Sequence, residues 1–195
     1  MNASVQVAIL AAFAAGIALA EAPPERRGVV ERKGTPLTLV GAELKTGDKA
    51  PDAELIGNDM APVKLSAFRG RVLVLSAVPS LDTPVCDRET RRFNEEAAKL
   101  GKDVAIVTVS MDLPFAQKRW CGAHGIESVI TLSDHREAAF GMAYGVLIKE
   151  SRLLARAVFV VDREGTIQYI QMVKELSSEP DYDAALAAVK RLLPQ

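Results

Sequence analysis

Val72-Leu73-Val74-Leu75-Ser76-Ala77-Val78 and Val104-Ala105-Ile106-Val107-Thr108-Val109-Ser110 are two almost uninterrupted apolar runs of strand length. Strands that are apolar on both faces belong inside a covered sheet. Between them, Cys86 to Leu100 carries too few apolar residues for a fully buried helix but holds Phe93, Ala97 and Leu100 on one face. The segment therefore reads as an amphipathic helix, and the whole stretch as a strand, helix, strand crossover.

On the C-terminal side, Pro114 to Ala123 reads as a shorter helix, Val129 to Leu132 as a brief strand, and Arg136 to Tyr144 as a third helix closed by Gly145. Ala157-Val158-Phe159-Val160-Val161, the turn Asp162 to Gly165 and Thr166 to Ile170 form the clearest β-hairpin signal. Tyr182, Ala185, Leu186, Val189 and Leu193 then recur at helical spacing. On the N-terminal side, Val29 to Arg32 and Leu37 to Val40 flank a Lys33-Gly34 turn and predict a hairpin, with Pro36 pointing to an edge position. Two short strands follow near Ala53 to Ile56 and Val63 to Leu65. A βαβ unit followed by a ββα unit is the order of a thioredoxin-like domain. The fold expected is α/β, a central mixed sheet flanked by helices with an added N-terminal β-hairpin.

The 195 residues, 49% of them hydrophobic, suffice for one sizeable core without a second domain. A formal net charge of −1, with Lys and Arg scattered among Asp and Glu, supplies no footprint for nucleic acid. The first charged residue is Glu21, and an apolar stretch from Val7 ends in Ala18-Leu19-Ala20. That stretch is short for a membrane span and ends in the small-x-small pattern of a signal peptide. The organisation expected is a cleaved signal peptide over 1–22, a Pro-Pro linker over 23–28 and one domain over 29–195. It implies a periplasmic or otherwise exported protein without stable membrane association after cleavage; a misassigned start would make it cytoplasmic.

Chemistry should centre on the only two cysteines, Cys86 and Cys121. Thr83-Pro84 predicts a helix start, with the Thr83 hydroxyl as cap and Pro84 at the first position. Cys86 then lies in the first turn, where unpaired N–H groups and the helix dipole favour a thiolate. It also follows a buried strand, at the end of the sheet where open α/β folds place ligands. A purely structural disulfide is the competing reading, its loop closure contributing about 3 to 4 kcal/mol; the protein would then be an exported binding or scaffold domain. A metal site using Cys121, His124 and His135 lacks paired spacing, and a thiol–disulfide oxidoreductase would carry a CxxC pair. His124 reads as a solvent-facing residue at a helix end.

Pro79-Ser80-Leu81-Asp82-Thr83-Pro84-Val85-Cys86 matches the PSxDTxVC motif of the bacterial thiol peroxidases, the atypical two-cysteine peroxiredoxins, which the chain resembles from about Val29 to Leu193. Ser110-Met111-Asp112-Leu113-Pro114-Phe115-Ala116-Gln117 with Cys121-Gly122, Ala155-Arg156-Ala157-Val158, and Glu179-Pro180-Asp181-Tyr182 match three further blocks. The resemblance implies a thioredoxin fold with an added N-terminal hairpin, Cys86 as peroxidatic and Cys121 as resolving cysteine, and Thr83, Pro79 and Arg156 shaping the pocket. It implies hydrogen peroxide or organic hydroperoxides as substrate, an intramolecular disulfide reduced by thioredoxin or a thioredoxin-like donor, a homodimer, and no cofactor. The leader before Val29 lies outside the family pattern. Two cysteines on separate helix starts would have to approach one another, so local unwinding during turnover is expected.

Overall fold

The structure, a computed structural model, describes residues 22–194. The signal peptide expected over 1–22 thus lies outside the described residues except for Ala22. Ten strands and four α-helices follow in chain order among the described residues: β1 Glu25–Arg32, β2 Thr35–Val40, β3 Glu54–Ile56, β4 Pro62–Lys64, β5 Val72–Ala77, α1 Pro84–Leu100, β6 Val104–Ser110, α2 Pro114–His124, β7 Ile130–Ser133, α3 Ala139–Ala143, β8 Leu147–Ile148, β9 Ala157–Val161, β10 Ile167–Met172 and α4 Tyr182–Arg191.

Seven strands form the central sheet in the order β10-β9-β5-β6-β7-β3-β4. β5, β6 and β7 run parallel, whereas β9 joins β5 antiparallel and β10 joins β9 antiparallel. This is the mixed sheet of a thioredoxin-like α/β fold. Alternation along β5 divides the core in two. Leu73, Leu75 and Ala77 face one side with Val107, Phe159, Phe140 and the hairpin residues Val30 and Leu39. Val72 and Val74 face the other with Ile106, Val160, Phe93 of α1 and Ala185, Ala188 and Val189 of α4. The edge of Phe93 meets Tyr182 with ring centroids 5.5 Å apart, which locks α1 against α4.

The register of β9 places the site. Ala157 pairs with Ala77, so the start of β9 lies beside the end of β5. Arg156, just before β9, therefore meets the segment that leads from β5 into α1, although it is 70 residues from Cys86.

Some elements differ from their sequence readings. β1 begins at Glu25, so most of the stretch read as linker is strand: Glu25, Arg26 and Arg27 pair with Val40, Leu39 and Thr38 of β2. Backbone pairing there outweighs the lack of apolar side chains. β2 is the middle strand of a small sheet, β1-β2-β8, rather than an edge. Pro36 is tolerated because β8 reaches only Leu39 and Val40, leaving that side of Pro36 unpaired. The third helix is shorter than its periodicity predicts. Ala138 adopts φ 52°, and the Asp134 carboxylate accepts from the Phe140 and Gly141 N–H groups, which starts α3 at Ala139. Gly145 does close it, at φ 63°, and a Cβ there would lie 2.2 Å from the Ala42 carbonyl oxygen.

Candidate active site

Cys86 is the third residue of α1 and is fully buried, with Val78, Leu81 and Trp120 around it. Thr83 occupies the N-cap position in extended conformation, yet its side chain caps no backbone N–H. The capping role expected of it is corrected by the geometry: the hydroxyl lies 2.9 Å from Cys86 Sγ and 3.0 Å from the Ser80 carbonyl oxygen. Its single hydrogen can serve one of them at a time, and turning it toward sulfur supplies a donor to a thiolate.

Arg156 approaches the same sulfur from β9, with Nη2 at 3.3 Å from Sγ. Only 1% of this arginine is exposed, against the surface position an arginine ordinarily takes. All of its nitrogens are engaged: Nε and Nη2 donate to the Leu176 carbonyl, and Nη1 donates to the Glu89 carboxylate. Glu89 is fully buried one helical turn beyond Cys86, and its other oxygen accepts from Ser76 Oγ at 2.7 Å. Burial pushes the Glu89 carboxyl upward against the pull of Arg156. Burial also works against charge on Arg156, but Glu89 and Cys86 more than offset it and hold the guanidinium above its ordinary value. Both Glu89 oxygens accept hydrogen bonds, the pattern of an ionised carboxylate. The side chains thus form a line from Ser76 through Glu89 and Arg156 to sulfur, in which each group orients the next.

Pro79, Thr83 and Arg156 line a cavity of about 390 Å³ together with Leu37, Ile148 and Leu176. Its mouth therefore includes the N-terminal hairpin, and its wall is largely apolar. The Cys86 sulfur is not part of that lining, but Thr83 and Arg156, which contact it, are. A second cavity, of about 370 Å³ between Lys49, Asp52, Tyr144 and Arg163, contains neither cysteine.

Cys121 is half-buried and packs against the cluster that encloses Cys86. It lies in the C-terminal half of α2, not at a helix start as the sequence reading supposed. Its Sγ is 3.3 Å from Thr131 Oγ1 on β7, and both cysteines are free thiols. Each sulfur has its own hydrogen-bond partners, Thr83 and Arg156 for Cys86 and Thr131 for Cys121, and a Cys86–Cys121 bond would break those contacts. Trp120 fills the space beside Cys86, stacks on His124 at 4.8 Å, and is 6% exposed. His124 is exposed at the end of α2, as its sequence position suggests, with Nδ1 2.9 Å from the Trp120 carbonyl and Nε2 3.4 Å from Asp87 Oδ1. His135 pairs with Ser133 instead. Among the described residues no group of three or more His, Cys, Asp or Glu could hold a metal ion.

All five residues expected at the site are thus placed, four of them in or beside one pocket and Cys121 on a neighbouring helix. Glu89 and Ser76 escaped sequence reading. Signals for both existed, namely an acid three positions after the cysteine on one helical face and a lone hydroxyl within an apolar strand.

A family model described as Redoxin matches residues 45–186. The thiol peroxidase of Oceanobacillus iheyensis is 56% identical over 159 residues, 82% of this chain and 96% of that protein. The thiol peroxidase of Bacillus subtilis is 55% identical over 161 residues, 83% of this chain and 96% of that protein. A peroxiredoxin-like protein from Aquifex aeolicus, known from its crystal structure, has a TM-score of 0.80 at 46% identity, covering 85% of this chain and 98% of that one.

Proposed function

The chain belongs to the Redoxin family and is a thiol peroxidase, and from that premise we propose that Cys86 cleaves the peroxide and Cys121 resolves the product. The observation that carries this reading is the pair of donors converging on one buried sulfur, Thr83 Oγ1 at 2.9 Å and Arg156 Nη2 at 3.3 Å. Donors that stabilise the thiolate beforehand are also aimed at the oxygens on which charge develops as the O–O bond breaks.

In the first step the Cys86 thiolate attacks one peroxide oxygen. The S–O bond forms, the O–O bond breaks, and the departing alkoxide or hydroxide takes a proton, leaving Cys86 sulfenic acid and an alcohol or water. Arg156 holds the charge, and Pro79 screens the pocket from water. In the second step the Cys121 thiol attacks the sulfenic sulfur, forming the disulfide and releasing water. A dithiol of thioredoxin type then restores both thiols and becomes a disulfide itself. Between the first two steps each sulfur leaves its present partners, and the first turn of α1, the end of α2, or both are expected to unwind as it does so.

The test uses pure, reduced full-length chain, hydrogen peroxide and a thioredoxin-type dithiol, with which the parent turns over repeatedly. Cys86→Ser is expected to abolish peroxide consumption, and Cys121→Ser to consume one equivalent and then stop. Continued turnover by Cys86→Ser would refute the assignment. Export of the mature chain is supported by the apolar stretch from Val7 to Ala20, and N-terminal sequencing that found Met1 in the mature protein would refute it. A homodimer is supported by the family resemblance and is tested by sedimentation; a monomer at micromolar concentration would refute it.

A further inference from the structure

Asp112, between β6 and α2, takes no part in the chemistry above, yet its carboxylate joins the two cysteine-bearing segments. Oδ1 accepts from Ser80 Oγ at 2.7 Å, and Oδ2 accepts from the Leu81 N–H at 2.8 Å and from Ser110 Oγ at 2.8 Å. Ser80 and Leu81 belong to the loop that leads into α1. The Ser80 carbonyl in turn accepts from the N–H of Thr83, whose hydroxyl is then free to donate to Cys86. On the other side, Ser110 Oγ accepts from Nε2 of Gln117, a buried residue of α2 one turn before Cys121. An unbroken line of hydrogen bonds therefore runs from the helix of Cys121, through Gln117, Ser110 and Asp112, to Ser80, Thr83 and the Cys86 sulfur. The sheet explains why it closes: the Val78 N–H bonds to the Val109 carbonyl, so the segments that follow β5 and β6 leave the sheet side by side.

We propose that Asp112 is a positioning residue that holds the loop before Cys86 in its peroxide-reactive form and must release it before the disulfide forms. This rests on the reading of Cys86 and Cys121 given above. While the link is intact, Thr83 faces sulfur and the first turn of α1 stays wound. When it opens, Ser80 to Thr83 lose their anchor, and the turn bearing the sulfenic acid is free to unwind toward Cys121. Asp112 thus sets how long the sulfenic acid remains in the reactive pocket. There a second peroxide can convert it to sulfinic acid, the S–O bond forming as the O–O bond breaks and an alcohol or water leaves. Asp112 acts through the loop and touches neither substrate nor sulfur.

The experiment compares reduced full-length parent, Asp112→Ala and Asp112→Asn. The rate of Cys86 oxidation is followed by rapid quench, and the ratio of Cys86 sulfinic acid to Cys86–Cys121 disulfide under excess hydrogen peroxide by mass spectrometry. Asp112→Ala removes every acceptor, and both quantities are expected to fall roughly tenfold, the factor that corresponds to one charge-assisted hydrogen bond. Asp112→Asn is expected to retain most of both, because one oxygen still accepts from Leu81 while the Ser80 hydroxyl turns to accept from the amide. A merely structural aspartate would lower thermal stability without moving the product ratio. An unchanged ratio in folded Asp112→Ala therefore overturns the proposal. If that variant does not fold, Ser80→Ala removes one of the two loop-side bonds and leaves that of the Leu81 N–H; the ratio is then expected to fall by a smaller factor, and an unchanged ratio overturns the proposal. Failure of the underlying reading is distinct: the parent itself would then form neither Cys86 product.

Discussion

Replacing Glu89 by Leu leaves the Arg156 guanidinium buried beside Cys86 without its carboxylate partner. The parent encloses both members of this pair almost completely, with side chains 2% and 0% exposed, so solvent cannot compensate for the loss. Removing one partner of a buried pair costs about 3 to 5 kcal/mol, whereas replacing both by apolar residues of similar volume is often neutral. For a domain of this size such a loss corresponds to a fall in Tm of roughly 6 to 20 °C. Restoring the balance with Glu89→Leu/Arg156→Met is expected to recover most of that stability while peroxidase activity is lost, since the donor at 3.3 Å from sulfur is gone. The assay is denaturant unfolding of reduced protein alongside peroxide consumption, both at pH 7. The reasoning is refuted if the single variant lies within about 1 kcal/mol of the parent, well below the cost of an unpaired buried charge, or if the double variant is no more stable than the single. Either result would mean that Glu89 does not neutralise Arg156.

Phe93 is fully buried between the sheet and α4, and Phe93→Ala should cost about 3 to 5 kcal/mol in denaturant unfolding. The Asp134 carboxyl is pushed above its ordinary value of 3.8, burial outweighing its bonds to the Gly141 and Phe140 N–H groups. The folded state then binds more protons than the unfolded state, so its contribution to stability falls as pH rises from 3.8 through the raised value. The stability gap between parent and Asp134→Asn should accordingly narrow over that window, and a widening gap would contradict the assignment. Trp120 lies against Cys86 and next to Cys121 in the chain, so its fluorescence should change on adding peroxide and return on adding dithiol. A constant signal would argue against movement around the two sulfurs.

Local patterns carried much of this. Apolar runs marked β5 and β6, a Gly-containing turn marked the β9–β10 hairpin, and Thr83-Pro84 located the start of α1, because each depends on residues near in sequence. The motif around Cys86 pointed to its chemistry, and the four matching blocks pointed to the family. β8 was not legible: it is two residues long and is a strand only because β2 lies beside it. The extent of β1 was equally hidden, since Glu25 to Arg27 pair through their backbones while their side chains follow no apolar pattern.

The sequence alone determined which sulfur sits at a helix start after a buried strand, and that the order of elements is thioredoxin-like. Tertiary structure alone decided what that sulfur touches. Arg156 reaches Cys86 because β9 runs antiparallel beside β5, and Thr83 gives up its cap to face the sulfur. Glu89 and Ser76 meet because α1 packs over the even-numbered face of β5, while Asp112 meets Ser80 because β5 and β6 end together. These contacts join residues far apart in the chain, and their register is fixed by strand pairing and core packing, which no local pattern encodes.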